Sequence, residues 1–148
     1  MIRFKIVTPE KTVMEEEVYQ VTLPVLHGEI TILPEHVPYI GAIKSGEIVL
    51  RKVQNGEEES LATSGGFVEF HDNTLVVLAD TAERAEEIDL VRAEEARKRA
   101  EDLKKERLTM DDEEYARTAA MIEKEFTRIK VARKHHSRGG IGIKNLEE

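Results

Sequence analysis

The periodicity of the chain changes once, near residue 85, and nothing else in the sequence limits its fold as strongly. Before that point apolar and polar residues alternate in short runs. Turn-forming residues interrupt them every eight to twelve or so positions, the spacing of an antiparallel sandwich or barrel. All four prolines, Pro9, Pro24, Pro34 and Pro38, lie in this half. The alternation predicts strands at 3–7, 12–18, 19–23, 29–33, 39–43, 46–53, 59–63, 66–70 and 74–79. Asn55-Gly56 is the strongest turn signal, because both residues tolerate positive φ. Asp72-Asn73 plays a similar part before the last strand. So many short strands cannot protect a core as one flat sheet, so a two-layer antiparallel β-sandwich is expected over residues 1–84.

After residue 85 the cues are helical. There is no proline, and no glycine before Gly139. Ile88, Val91, Ala96, Ala100 and Leu103 fall at helical spacing. Tyr115, Ala119, Ile122, Phe126 and Ile129 advance in steps of four and three, as in a coiled-coil seam. Leu108-Thr109-Met110 interrupts the pattern, and Asp111 three residues before Glu114 looks like a capping pair opening a second helix. Residues 85–136 therefore read as an antiparallel α-helical hairpin, and 137–148 as a flexible tail. The first helix offers mostly alanine to the seam, which allows close approach but buries little area. Such a hairpin should be only marginally held and should dock on something else.

Charge is distributed unevenly. Residues 1–84 carry 7 basic and 14 acidic groups, residues 85–148 carry 15 and 16, and from Phe126 onward there are 6 basic and 2 acidic. An acidic body thus bears an arm with a basic end. The overall charge of −8 argues against nucleic acid as a partner. With no cysteine, disulfides, thiolate catalysis and cysteine zinc sites are excluded. The first residues become charged too soon for a signal peptide. No apolar run is long enough to span a bilayer, so direct membrane insertion is not expected.

Signals for catalysis are weak. The five histidines, His27, His36, His71, His135 and His136, lack the spacing of helix-face metal ligands. Gly139-Gly140-Ile141-Gly142 lacks the spacing of a phosphate loop. Glu15-Glu16-Glu17 and Glu57-Glu58-Glu59 read as solvated surface rather than acid–base pairs. No catalytic residue and no metal site is expected.

Four motifs in order carry a resemblance. They are Gly28-Glu29-Ile30-Thr31-Ile32-Leu33-Pro34-Glu35-His36-Val37-Pro38, Ser64-Gly65-Gly66-Phe67-Val68-Glu69, Val77-Leu78-Ala79-Asp80-Thr81-Ala82-Glu83, and Ile88-Asp89-Leu90-Val91-Arg92-Ala93. Together they resemble the epsilon subunit of bacterial rotary ATP synthases, over residues 1 to about 134. The resemblance implies a sandwich followed by a helical hairpin. It implies a non-catalytic rotor subunit in the central stalk, bound to the gamma subunit and the c-subunit ring, that couples proton flow to ATP synthesis. It also implies that the mobile hairpin inhibits ATP hydrolysis by reaching the alpha/beta catalytic hexamer. The location implied is peripheral, on the cytoplasmic face of the cell membrane. Two departures stand out: the tail beyond the usual end, and Glu35, where the family often has glycine.

The resemblance also assigns residues. Glu29, Glu35 and His36 form a polar patch toward the c ring, although His36 read alone would simply hydrogen-bond within its proline-stiffened loop. Arg128, Lys130, Arg133 and Lys134 form the inhibitory arm; read alone, these cations complement the helix dipole. No other cofactor is implied, but ATP is expected as a regulatory ligand. Glu83, Ile88, Asp89, Arg92 and Ala93 would hold it, with Arg99 and Arg128 supplying further positive charge. The alternative is a stand-alone nucleotide-sensing or adaptor module of the same architecture, and a hydrolase is a distant third.

Overall fold

A computed structural model describes residues 1–106 and 110–141. The chain divides into two compact units, one ending at Arg84 and the next beginning at Ala85.

The first unit is built of strands β1 (Ile2–Val7), β2 (Thr12–Val18), β3 (Gln20–Val25), β4 (Gly28–Ile32), β5 (Tyr39–Arg51), β6 (Glu58–His71), β7 (Thr74–Ala79) and β8 (Ala82–Arg84). They hydrogen-bond in the order β2-β1-β7-β6-β5-β3-β4, with β8 added to β6. The pairing is antiparallel except between β1 and β7, which run parallel. β5 and β6 each replace two of the predicted strands, and β8 had no counterpart in the sequence reading.

These two long strands explain how one ladder makes two layers. Ile43 faces the core from β5, but so do Ile48 and Leu50, which have the opposite parity. In β6 the buried residues pass from Leu61 to Val68 and Phe70, again with a change of parity. Adjacent strand residues point to opposite faces. Both strands therefore change their inward face together, where Lys44 pairs with Gly65 and Gly46 with Thr63. At this corner the sheet folds over itself. The first half of β6 pairs with β8 and the second half with β7. Residues from β1 to β7 then meet in a single core that includes Phe4, Leu23, Ile32, Ile48, Leu61 and Phe70.

The corner depends on glycine. Gly65 has φ +119° and Gly66 φ +147°, a region that side chains rarely enter. A Cβ on Gly66 would lie 2.0 Å from the Leu78 carbonyl oxygen, so β7 closes against bare backbone there. The expected break between two strands is thus a bend within one, because glycine turns the chain without leaving the ladder.

The turns divide their work differently from the expectation. Asp72 and Asn73 both have positive φ, 47° and 55°, and make the tight two-residue hairpin between β6 and β7. In the wider β5–β6 connection only Asn55 has positive φ, 61°, and Gly56 N–H donates to the Val53 carbonyl at 3.0 Å. The acidic runs are more than solvated surface. Glu16 on β2 meets Lys52 at 2.9 Å and Arg84 at 3.4 Å, and Lys52 also reaches Glu59 at 2.8 Å. Glu59, and then Glu16, hold the Lys52 ammonium above its ordinary pKa. This ionic cluster joins β2, β8 and the β5–β6 hairpin.

The second unit opens with a short helical turn, Ala85–Glu87, followed by α1 (Leu90–Lys105) and α2 (Asp112–Ile141). Asp89 caps α1 by accepting from Arg92 N–H at 3.1 Å. Asp111 caps α2 by accepting from Glu114 N–H at 2.8 Å, and the Glu114 carboxylate accepts from Asp111 N–H at 3.4 Å. This reciprocal pair is a capping box. Residues 107–109, which include Leu108 and Thr109 of the predicted break, lie outside the described residues. So do residues 142–148 of the predicted tail. Residues 137–141 are helical rather than a flexible tail: α2 runs on through Gly139 and Gly140. Each glycine lowers helix propensity by about 1 kcal/mol, which a long established helix can absorb.

The seam between the helices agrees with the expectation at Ile129 and departs from it elsewhere. Among the described residues of α2, Thr118, Glu125, Thr127, Ile129, Val131 and Ala132 are buried, whereas Phe126 is half exposed. On α1 Ala93 and Ala100 are buried, while Val91 and Leu103 are exposed. The small residues let the helices approach, and the larger ones lie along the rim. Thr118 can be buried because its hydroxyl donates to the Glu114 carbonyl at 2.9 Å. Glu125 can be buried because Arg128 pairs with it at 2.7 Å.

The corner yields a prediction with an internal control. Gly66→Ala should lower unfolding free energy by about 2 kcal/mol or more, through backbone strain and the clash with Leu78. Gly28 also has positive φ, 134°, but a Cβ there meets nothing within 4 Å. Gly28→Ala should therefore cost less. Urea unfolding of both variants checks this, and equal losses would rule out steric closure at Gly66 as the cause.

Candidate functional site

The loop joining β4 to β5 is built by its prolines and by one strained residue. His36 N–H donates to the Leu33 carbonyl at 3.1 Å, closing a turn with Pro34 at its second position and Glu35 at its third. Glu35 has φ +65°. A type II turn requires positive φ at this position, where glycine is least strained. Glu35 therefore keeps the backbone that glycine would adopt and adds a carboxylate at the surface. Its N–H donates to Asn73 Oδ1 at 2.6 Å, tying the loop to the β6–β7 turn. His36 Nδ1 lies 2.7 Å from the Val37 carbonyl oxygen, and its ring stands edge-on to Phe70 with centroids 6.0 Å apart. The histidine thus does the packing work that its loop alone suggested, while remaining partly exposed. Glu29 stands near the other end of β4, roughly 10 Å from that strand's last residue at the usual rise per residue. The predicted patch is therefore two points, one at each end of β4.

The Ile88–Ala93 motif is structural in most of its positions. Ile88 is buried and Ala93 fully so. Asp89 Oδ1 serves the cap and its Oδ2 lies 3.8 Å from Arg92 Nε. The Arg92 side chain is 83 % exposed, and Arg99 two turns along is also exposed. Glu83 lies in β8, opposite Ala62 of β6. Arg128, named both for ATP and for the arm, is held within its own helix by Glu125. Arg133 reaches across to α1, with Nη2 2.5 Å from Glu94 Oε1. Lys130 is exposed and Lys134 partly so. Among the described residues no three His, Cys, Asp or Glu side chains are grouped to hold a metal ion, and no helix is long and apolar enough to cross a membrane.

The structure adds a surface the sequence reading passed over. Val7 pairs with Leu78, Leu78 with Phe67, and Phe67 with Ala42, one row across β1, β7, β6 and β5. Ile40 and Val76 belong to the next row on the same face, which also contains Lys5 and Glu69. Phe67 is 64 %, Leu78 58 % and Ile40 78 % exposed. Cross-strand neighbours stand about 5 Å apart, so these side chains form one patch. The sequence held a signal for it: Leu75-Val76-Val77-Leu78 is apolar at every position, which a strand with one wet face does not need.

Comparison with known proteins agrees with this architecture. The family model described as "ATP synthase, Delta/Epsilon chain, beta-sandwich domain" matches residues 1–85. An ATP synthase epsilon chain of Dehalococcoides mccartyi is 45 % identical over 139 residues, covering 90 % of this chain and 93 % of that one. One from Desulforamulus reducens is 46 % identical over 132 residues, covering 88 % and 96 %. Among solved structures, a chain in the Euglena gracilis mitochondrial ATP synthase OSCP/F1/c-ring assembly superposes with a TM-score of 0.68 at 19 % identity. That match covers 82 % of this chain and 75 % of that one, a likeness of fold. With the sandwich matched by the family model and relatives of this identity matched over nearly their whole length, the chain belongs to the ATP synthase epsilon-chain family.

Proposed function

We propose that the chain is a non-catalytic central-stalk subunit of a proton-translocating ATP synthase, holding the gamma subunit through the outer face of its sandwich and the c ring through the ends of β4. The observation that carries this reading is the row of exposed Phe67 and Leu78 with half-buried Ala42, beside exposed Ile40. A contiguous apolar patch of this kind on a sheet face marks an interaction surface. Family membership supports the gamma subunit as its occupant. The loop at 33–38 is tied by the Leu33–His36 turn and the Glu35–Asn73 bond, with Glu35 exposed and His36 partly so, as a c-ring contact needs. The Euglena neighbour comes from an assembly that contains a c ring. The basic end of α2, with Arg128, Lys130, Arg133 and Lys134, meets acidic surface of the catalytic hexamer when the hairpin opens. That contact blocks hydrolysis. Opposite charge across an interface fixes partner and register more than raw affinity.

ATP is a regulatory ligand of the closed hairpin in this proposal. Arg92 and Arg99, both exposed on α1, take the phosphates, since guanidinium pairs readily with phosphate oxygens. Asp89 contributes to ATP binding less than the motif implied, because its carboxylate already serves the helix cap.

Three outcomes check these assignments. Phe67→Glu should leave the melting temperature nearly unchanged and weaken binding to gamma about thirty-fold or more, as expected for an aromatic anchor. Unchanged co-purification with gamma would leave the adaptor reading standing. Glu29→Ala combined with His36→Ala should lower coupling of proton flow to synthesis while the sandwich stays folded; normal coupling would remove both ends of β4 from the c-ring contact. Isothermal titration of the chain with ATP should show binding that Arg92→Ala weakens about ten-fold or more, the loss expected for a charged hydrogen bond. Equal binding by both proteins would remove the site.

A further inference from the structure

The two helices meet through a seam that contains little apolar area. Ala93 and Ala100 on one side face a helix whose buried positions include Thr118, Glu125, Ile129 and Ala132. Burial stabilises in proportion to apolar area, and alanine and threonine offer little of it. Cationic contacts between the helices line the rim. Lys104 Nζ lies 5.5 Å from the Tyr115 ring centroid. The Arg97 guanidinium lies 5.4 Å from that of Phe126. Arg133 Nη2 lies 2.5 Å from Glu94 Oε1. They run in antiparallel order from the connected end of the hairpin to its open end. The Glu94–Arg133 pair is the side-chain rung nearest the start of α1, with the short Ala85–Glu87 turn also against α2 beyond it.

Arg133 thus stands in two accounts. In the closed hairpin its guanidinium is bound to a carboxylate of α1. In the proposed inhibitory state it meets carboxylates of another subunit. Opening the hairpin takes Arg133 away from Glu94, so the two contacts alternate. We propose that Glu94 and Arg133 form an electrostatic latch on the hairpin, in which Glu94 stands in for the partner's carboxylates and holds the arm back from them. The inhibitory consequence rests on the function proposed above; the latch itself rests on the geometry of the hairpin. A contact made only in the closed state shifts the equilibrium toward that state by its own strength and no more. Glu94 therefore opposes inhibition, whereas Arg133 contributes to both states.

The chain has no native cysteine, so cysteines introduced at the exposed positions Lys98 on α1 and Glu123 on α2 can carry a dye pair without background labelling. Single-molecule energy transfer then reports the open fraction in the full chain. Glu94→Gln should raise that fraction about two- to five-fold, the range for an exposed ion pair. Arg133→Gln should do the same, and the double variant should add nothing further. The charge swap, Glu94→Arg with Arg133→Glu, should restore closure. In the assembled synthase Glu94→Gln should lower ATP hydrolysis, whereas Arg133→Gln should raise it. An open fraction unmoved by Glu94→Gln, or strictly additive effects of the two single variants, overturns the latch. If the hairpin opens as expected but hydrolysis does not change, the latch stands and the inhibitory reading falls.

Discussion

At Gly66 the backbone of β7 comes so close that a single methyl group would strike the Leu78 carbonyl. That contact lets β5 and β6 turn together and carry the sheet from one layer into the next. The turn puts Ile48 and Leu50 opposite the β1 and β7 residues, and one core forms. It also settles which side chains are left outside. Once Val68, Phe70, Leu75 and Val77 face inward, Phe67 and Leu78 must face out, because successive strand residues alternate. The apolar surface proposed for the gamma subunit is thus a consequence of the fold's own closure.

The two units are stabilised in different ways. The sandwich buries Phe, Ile, Leu and Val from seven strands in one cluster. The hairpin unit buries mainly alanine and threonine, with Ile88, Glu125, Ile129 and Val131 as its larger groups, and adds cationic contacts along its rim. Its buried ion pair, Glu125 with Arg128, is a weak source of stability, because desolvation offsets much of the attraction. Side-chain volume and charge therefore make the sandwich a heavily packed platform and the hairpin a more thinly packed arm. In a rotor subunit the platform would carry binding and the arm regulation.

Several features were legible because they depend on local chemistry. The change of period near residue 85 coincides with the boundary between the two units. The Asp111–Glu114 capping box was visible as a spacing, and so was the helical character of the second half. Glycine in the second family motif, Ser64-Gly65-Gly66, marked a special backbone position without saying that the strand continues through it. The seam was right at Ile129 but wrong at Phe126, which the four-three spacing placed inside. Close approach at Ala93 and Ala100 instead favours Thr118 and Glu125, each with its polar atoms satisfied.

The sequence by itself determined the two-part architecture, the cap of the second helix and the basic end of the arm. These follow from dihedral preference, periodicity and charge, which act over a few residues. Only the tertiary structure decided that β5 and β6 pass through both layers, that β1 runs parallel to β7, and that Arg133 faces Glu94. Each of these joins residues distant in the chain or depends on where the backbone bends. Alternation along a strand says which residues share a face, but only packing decides which face meets the core and which meets water.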